Sequence, residues 1–409
     1  MGKVRHVTEV DVTSGEFKAD PFPFLKELRN ESPVATQTLS DGTTAWLVSK
    51  YEDQKILADE SLFTRVGPKD EEQTESSEAD SIITRTFDNV FTDLDRPAYT
   101  RIRKLMQPAF SPKNVRPLGP MIDHITEELL NTVQVKGEMD IVKDYATPLP
   151  LKIVLGQLCG VPEEDSGDFD RWIASILETD SLSAPESTRD HMTEIIHYMN
   201  DLVRKKRQNL TDDVLSDLIR AEAEGSKLNQ DELVANSIAL MLGGYPTTVN
   251  LIACAVFELL THPEQLRKLY QDLSLIPLAV EELLRFTSPV FVGITRYARE
   301  DVTIRGVVIP KDAAVFGLIG AANRDEEIFE NPDVLDITRK PNPHMGFGWG
   351  SRSCMGGSIA TLEVQYALRN LLARIPDLTL KNPPSSHRWT TSLNLRGLEE
   401  LQVTYSKIA

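Results

Sequence analysis

The stretch FGWGSRSCMG, residues 347–356, decides how this chain is interpreted. Its cysteine, Cys354, comes just before a run of helical periodicity, and the N–H groups and dipole of a helix N-terminus stabilise a thiolate. Gly350 and Gly356 let the backbone approach a large flat ligand without a Cβ clash. Arg352 offers a forked cation for a carboxylate. The stretch therefore predicts a ligand-binding cysteine.

Two other interpretations of this stretch are open. A single cysteine is most often a buried, inert core residue. A glycine-rich turn can also bind a dinucleotide, but Ser353 occupies the place of the third glycine, and no parallel strand–helix unit surrounds the stretch. The other cysteines, Cys159 and Cys254, form no CxxC pair, which argues against a disulfide framework or a structural zinc site.

The composition is that of an ordinary globular protein, with 41% apolar and 26% charged residues among 409. The formal net charge of −18 argues against nucleic-acid binding, because no basic face is present to release counterions. The N-terminal residues form no apolar signal segment, so we expect a cytoplasmic protein. Helix formers and long apolar-periodic runs predominate, which predicts a mainly α fold with small β-sheets.

One apolar run is long enough to cross a bilayer. Residues 233–257 carry no charge. The run contains several polar residues, two glycines and Pro246, and the chain has no comparable second run. A central helix that is buried on all sides in a soluble protein fits these features better than a membrane span. We therefore expect no membrane association.

The chain reads as a single domain, residues 1–409, because no repeat, low-complexity tract or linker interrupts it. Polar stretches at 66–81 and 179–188 are candidate lids. Turn signals between short alternating runs predict a small sheet over 290–317. Helices are predicted at 97–110, 118–135, 148–160, 189–208, 230–261 and 277–286, followed by a last amphipathic helix after the cysteine loop.

The cysteine loop resembles, position by position, the signature FxxGxRxCxG of the cytochrome P450 family. All five signature residues are present, namely Phe347, Gly350, Arg352, Cys354 and Gly356. The motif ExxR of that family is matched by Glu282 to Arg285, and the resemblance runs from about residue 20 to the C-terminus. It implies the cytochrome P450 fold, with haem b buried between a long central helix and the cysteine loop.

The resemblance also implies which residues bind the haem. Cys354 would be the axial ligand of the iron, since a thiolate pushes electron density toward it and favours O–O cleavage. Tyr99 stands where many relatives have a propionate-binding histidine, and its phenol can still donate one hydrogen bond. Glu282 and Arg285 lie one helical turn apart and are expected to form a structural ion pair. The other cofactor-binding positions implied are Arg103, Arg296, His344, Phe347, Arg352 and Gly356.

The central helix departs from the family pattern. Relatives usually have Ala/Gly-Gly-x-acid-Thr there, whereas residues 243–248 read GGYPTT. Gly243, Gly244 and Thr247 match the pattern and are the catalytic positions implied, but Pro246 replaces the acid. A proline costs about 3 kcal/mol inside a helix, because it removes an N–H and clashes with the carbonyl of Leu242. Either the helix has a packing kink without a role, or the oxygen groove is widened and its protons come from Thr247, water or the substrate.

Several functions remain open on the sequence. The leading one is a haem-thiolate monooxygenase, which hydroxylates or epoxidises a medium-sized apolar molecule in secondary metabolism. The missing acid motivates an alternative, oxidative coupling or ring closure without oxygen insertion. A third candidate is a non-catalytic haem-binding sensor or carrier. The resemblance implies a monomer whose electrons come from NAD(P)H through a ferredoxin or flavodoxin docked near Cys354. The residues expected to line the substrate pocket are Val290, Phe291, Val292 and Ile294, together with the loop 66–90.

Overall fold

The structure is a computed structural model that describes residues 4–39, 42–68, 78–177, 186–223 and 228–407. The candidate lids at 66–81 and 179–188 lie largely outside these ranges. The chain divides into two compact units. Unit 1 comprises Met1–Gly67, Leu118–Pro148 and Thr247–Ala409, and unit 2 comprises Pro68–Pro117 and Leu149–Pro246. Neither unit is a contiguous stretch of sequence, and the single domain stays a prediction.

Helices dominate the described part of the chain, as predicted. The α-helices are α1 Gly15–Ala19, α2 Phe22–Glu31, α3 Tyr51–Leu57, α4 Glu78–Phe87, α5 Ala98–Met106, α6 Pro112–Val115, α7 Gly119–Val133, α8 Pro148–Lys152, α9 Ser166–Leu177, α10 Glu186–Gln208, α11 Val214–Ala223, α12 Gln230–Thr261, α13 Pro263–Gln271, α14 Ile276–Thr287, α15 Ile319–Ala322 and α16 Gly357–Arg374. Two π-helices, Ile141–Ala146 and Ile153–Cys159, adjoin α8. Each predicted helix is therefore confirmed within a few residues at its ends.

Short 3-10 helices connect several of these elements. They are Phe91–Asp93, Gln107–Phe110, Arg116–Leu118, Glu163–Asp165, Leu273–Leu275, Gly350–Arg352 and Pro384–Ser386.

All the strands that the structure describes lie in unit 1. They are β1 His6–Val7, β2 Val34–Thr38, β3 Thr44–Val48, β4 Phe63–Thr64, β5 Glu138–Asp140, β6 Arg296–Ala298, β7 Val302–Ile304, β8 Val307–Ile309, β9 Ala314–Gly317, β10 Thr379–Leu380 and β11 Gln402–Thr404. The largest sheet has the order β1-β2-β3-β9-β6-β4. A second sheet has the order β10-β11-β5, and β7 pairs with β8.

The small sheet predicted over 290–317 is confirmed. Strands β7 and β8 form a hairpin whose turn residues, Arg305 and Gly306, have φ angles of +50° and +78°. Positive φ at both central positions is what a two-residue hairpin turn requires. Strand β6 pairs antiparallel with β9 in the larger sheet, with Arg296 opposite Val315. This register places Arg296 at a defined point of unit 1.

The long apolar run forms one helix, α12. It extends over 32 residues from Gln230 to Thr261, and Pro246 lies inside it without interrupting the helix. Among the described residues, α12 is the one helix long and apolar enough to cross a membrane, and 61% of its most apolar window is buried inside the protein. A mostly buried core helix passes the same test by length and composition, so the finding is weak evidence for a membrane span.

Candidate functional site

The cysteine loop of unit 1 is shaped by two glycines in the left-handed region. Gly348 and Gly350 have φ angles of +74° and +71°, which other residues rarely adopt. The loop closes on itself, because the Cys354 N–H donates to the Phe347 carbonyl oxygen at 2.7 Å. Helix α16 begins three residues after Cys354. The cysteine therefore lies at the N-terminus of an 18-residue helix, as predicted.

The three cysteines of the chain have different surroundings. Cys159 and Cys254 are buried, whereas Cys354 is exposed. Burial raises the pKa of the Cys254 thiol to about 12, and it raises the pKa of Cys159 as well. Neither of these thiols ionises in the physiological range, and an unionised thiol is a poor metal ligand. Cys354 is thus the cysteine that a ligand can reach from solvent.

The residues around Cys354 fit a haem. A Cβ added at Gly350 or Gly356 would meet no atom within 4 Å, so this side of the loop is open to a large flat group. A thiolate is a suitable axial ligand for haem iron. The Arg352 guanidinium is the forked cation that a propionate prefers. The donor set of the loop therefore matches both the metal and the carboxylates of haem b.

The loop is held against α14 and the segment after α15. A Cβ on Gly346 would lie 2.6 Å from the Leu284 side chain, so only glycine fits there. The Met345 N–H donates to the Asn323 side-chain oxygen at 2.8 Å. Because both contacts are to residues in the core of unit 1, the loop that carries Cys354 is a rigid part of this unit.

Glu282 and Arg285 of α14 form the predicted ion pair. Both side chains are fully buried, and two parallel hydrogen bonds of 2.7 and 2.8 Å join them. Arg285 also donates to the carbonyl oxygens of Asn323 and Pro332. Arg339 adds a second guanidinium on the Glu282 carboxylate at 3.0 Å. The pair is a structural brace that connects α14 to the segment before the cysteine loop.

Sequence reasoning missed Arg339 and the role of the Asn323 side chain. Arg339 lies 57 residues from Glu282 in the sequence, and no local pattern marks it as a partner. Asn323 belongs to the segment AANRD, residues 321–325, which follows the ExxR helix. Its amide bridges Met345 and the Ser288 hydroxyl. That segment was a signal for Asn323, whereas Arg339 had none.

The predicted propionate cations of unit 1 have different partners. The Arg352 Nε donates to Glu60 at 3.0 Å, and its side chain is 5% exposed. Arg296 lies on β6 and is half-buried. His344 accepts from the Gly346 N–H at Nδ1, which leaves Nε2 to donate to Glu281 at 2.9 Å. Both ring nitrogens of His344 thus have partners inside unit 1, and its propionate role stays a prediction.

Unit 2 brings Tyr99 and Arg103 together on α5. The Arg103 Nη1 donates to the Tyr99 hydroxyl at 2.8 Å, across one helical turn. The buried Tyr99 ring stacks on Phe91, with centroids 6.0 Å apart and an interplanar angle of 11°. The phenol that replaces the usual histidine is therefore held by stacking and by the cation beside it. This pairing is consistent with a shared role at a carboxylate.

The glycines of α12 have opposite surroundings. Gly243 is exposed, and an added Cβ would meet no atom within 4 Å. A Cβ on Gly244 would lie 3.0 Å from the Val154 side chain in the π-helix Ile153–Cys159. The helix continues through the buried Pro246 to the half-buried Thr247. Gly243 thus lies on the open face of the helix and Gly244 on the packed face.

The four residues expected to line a substrate pocket differ in how deeply the structure buries them. Phe291 and Val292 are fully buried in a core cluster of unit 1, so the structure places them in the core instead. The Phe291 ring packs edge-on against Phe17 at 6.2 Å. Val290 is half-buried and forms a β-bridge with Leu395. Ile294 is 49% exposed and stays a candidate pocket residue. An apolar run cannot distinguish a pocket wall from a core strand.

The chain is similar to known proteins over almost its whole length. Residues 52–381 match the family model for cytochrome P450. The chain is 37% identical over 397 residues to the polyketide biosynthesis cytochrome P450 PksS of Bacillus subtilis, covering 96% of this chain and 97% of that protein. It is 38% identical over 404 residues to the 6-deoxyerythronolide B hydroxylase of Saccharopolyspora erythraea, covering 97% and 98%. The structure of CxnD, a cytochrome P450 for C–S bond formation in chuangxinmycin biosynthesis, superposes with a TM-score of 0.89 at 29% identity, covering 100% and 99%.

Proposed function

Because the chain belongs to the cytochrome P450 family, whose named relatives include monooxygenases, we propose that it inserts oxygen into a medium-sized, largely apolar molecule of secondary metabolism. The observation that carries the proposal is the exposed Cys354 on its glycine loop, whereas Cys159 and Cys254 are buried. Relatives named for polyketide biosynthesis and for 6-deoxyerythronolide B hydroxylation support the substrate class. Relatives from bacteria support a cytoplasmic location.

Different side chains would bind the iron and the propionates of a haem. Cys354 would bind the iron, and a haem held by a thiolate supplies the activation of molecular oxygen. Arg296 and Arg352 in unit 1 would bind propionates, since a guanidinium forms paired hydrogen bonds with a carboxylate. Tyr99 and Arg103 in unit 2 would do the same. Phe347 and Gly356 complete the loop, and His344 braces it through Glu281.

Helix α12 would form the part of the site where molecular oxygen reacts. Gly243 leaves open space at the helix surface, and Thr247 lies one turn further along the same face. The Thr247 hydroxyl can hold a proton at Oγ1 and pass it on, which the proline at 246 cannot do. In the absence of the usual acid, Thr247 would be the side chain of this segment that positions protons.

A threonine replacement tests this role. Thr247→Ala is expected to bind haem and substrate like the wild type while most electrons appear as hydrogen peroxide. Product formation should fall by about 10²–10⁴-fold, the range typical of a positioned proton donor. Thr248→Ala, at the buried neighbouring position, serves as the control. Product and peroxide are quantified per NAD(P)H consumed, and unchanged coupling in Thr247→Ala removes this residue from the mechanism.

The second candidate function is oxidative coupling or ring closure. Pro246 motivates it, because such reactions take protons or hydrogen atoms from the substrate and have no need of the acid. The structural neighbour named for C–S bond formation supports it as well.

A proline replacement distinguishes the two reactions. Pro246→Glu supplies the acid and restores the backbone N–H, and it should gain up to about 3 kcal/mol of helix stability. If oxygen insertion is the natural reaction, oxygenated product per electron rises. If coupling is natural, coupled product falls and hydroxylated side products appear. The ratio of the two is measured by mass spectrometry in labelled dioxygen. Pro246→Ala restores the N–H without the carboxyl and serves as the control, and a ratio that is the same in all three proteins assigns Pro246 to packing alone.

The remaining proposals concern partners. Electrons from NAD(P)H would arrive through a ferredoxin or flavodoxin that docks near Cys354, and we expect a monomer. Steady, substrate-dependent electron consumption with such a donor excludes a haem sensor or carrier.

Candidate substrates are found by screening for the spectral change that accompanies loss of the water bound to haem iron. Incorporation of labelled oxygen into the product of a positive compound tests the proposed function directly.

A further inference from the structure

One face of α12 is packed in unit 2 between Ser237 and Tyr245. The Ser237 carbonyl oxygen accepts a weak hydrogen bond from the Cys159 thiol at 3.9 Å, Met241 is fully buried, and Gly244 packs on Val154. These positions recur at the helical spacing of three to four residues, so they share a face. Tyr245 continues it, whereas Gly243 lies on the other side of the helix and is itself exposed.

Tyr245, on this packed face, forms a hydrogen bond with another helix. The Tyr245 hydroxyl donates to the Asp170 carboxylate at 2.6 Å, and the tyrosine side chain is buried. Asp170 lies on α9, which is anchored next to it by Phe169, a fully buried ring 5.0 Å from both Trp172 and Tyr198. A short hydrogen bond to a carboxylate is among the stronger kinds, and this one is partly buried. Tyr245 therefore joins α12 to a rigid neighbour.

The neighbouring residue weakens the helix at the same place. Pro246 has no N–H, so the Leu242 carbonyl loses the donor that a helix interior normally provides. Freed carbonyls and a proline ring are common causes of bending in helices. The helix nevertheless continues through this point to Thr261. A contact from outside the helix can compensate for the internal hydrogen bond that is missing at this position.

We propose that Tyr245 is a positioning residue, whose hydrogen bond to Asp170 replaces the constraint lost at Pro246 and holds residues 243–247 in place for the reaction. The role in catalysis rests on the proposed function, whereas the role in holding the helix does not. The Tyr245 hydroxyl is bonded to Asp170, so the residue is proposed to act by holding the helix.

Hydrogen exchange of four proteins tests the positioning role without turnover. The set is the wild type, Tyr245→Phe, Pro246→Ala and the double variant, all loaded with haem. Tyr245→Phe keeps the ring and removes the donor, and it should raise exchange of the amides from Gly243 to Asn250 by about tenfold. In the Pro246→Ala background, where the helical N–H is restored, the same change should raise exchange by less than about threefold. Equal effects in the two backgrounds mean general packing and overturn the proposal, as does an unchanged rate in Tyr245→Phe.

A matched pair of variants separates this contact from tyrosine–aspartate bonds in general. Tyr198 donates to Asp165 in the same unit but lies on α10, so Tyr198→Phe should leave exchange in α12 unchanged. Asp170→Ala, which removes the acceptor, should reproduce Tyr245→Phe. If Tyr198→Phe loosens α12 equally, the effect is global and the proposal fails.

Electron accounting measures the consequence for the reaction. With an accepted substrate and a ferredoxin donor, Tyr245→Phe should divert several-fold more electrons to peroxide at unchanged substrate affinity. Adding Pro246→Ala to Tyr245→Phe should restore part of the coupling of electron consumption to product formation. Wild-type coupling in Tyr245→Phe overturns the catalytic part. A wild type that makes no oxygenated product contradicts the proposed function instead, while the exchange measurements still decide the role of Tyr245 in the helix.

Discussion

Cys354→Ala is expected to abolish the strongly red-shifted haem band that a thiolate-bound, reduced haem shows with carbon monoxide. The reason is that Cys354 is the exposed cysteine at a helix N-terminus, where the backbone N–H groups favour the thiolate. No other cysteine can take its place, because burial raises the pKa of the Cys159 and Cys254 thiols. The measurement is the absorption difference spectrum of the reduced protein with and without carbon monoxide.

Two controls separate ligation from damage to the fold. Cys159→Ala and Cys254→Ala remove buried thiols in different units, and each should keep the red-shifted band even where it lowers stability. Circular dichroism of Cys354→Ala should show wild-type helix content, because the exposed thiol contributes little to the core. A red-shifted band that persists in Cys354→Ala contradicts the assignment of the ligand.

Glu282→Gln is expected to lower the free energy of unfolding by about 3–5 kcal/mol, which is the typical effect of breaking a buried ion pair. The carboxylate lies between the guanidinium groups of Arg285 and Arg339. Its loss leaves the fully buried Arg285 without a counter-ion in a low-dielectric core. This change is a large share of the 5–15 kcal/mol by which proteins are usually stable. Haem-loaded, soluble protein should therefore be scarce.

The neighbouring acid supplies the matched control. Glu281 is 42% exposed at its side chain and pairs with His344, so Glu281→Gln should change stability by less than about 1 kcal/mol. Arg285→Lys tests geometry, since it keeps the charge and loses the forked pair of hydrogen bonds. Urea unfolding midpoints compare the variants. Equal midpoints for Glu282→Gln and Glu281→Gln contradict the structural role of the pair.

The sequence by itself determined the features that depend on near neighbours. Cys354 and its glycines lie within ten residues, and the Glu282–Arg285 pair spans one helical turn, so the periodicity of the backbone brings these groups together. The bounds of α12 follow from a long uncharged run. The motifs then indicated the cytochrome P450 family, and the family model that matches residues 52–381 confirmed it.

Only the tertiary structure decided which distant side chains meet. Arg352 donates a hydrogen bond to Glu60, which is 292 residues away in the sequence, and Tyr245 donates one to Asp170, which is 75 residues away. Phe291 belongs to the core because rings from the N-terminal segment pack on it, a fact that an alternating run cannot contain. The physical reason is that a charged group can form hydrogen bonds with many partners and an aromatic ring can pack against many others. Packing of the whole chain selects among these partners.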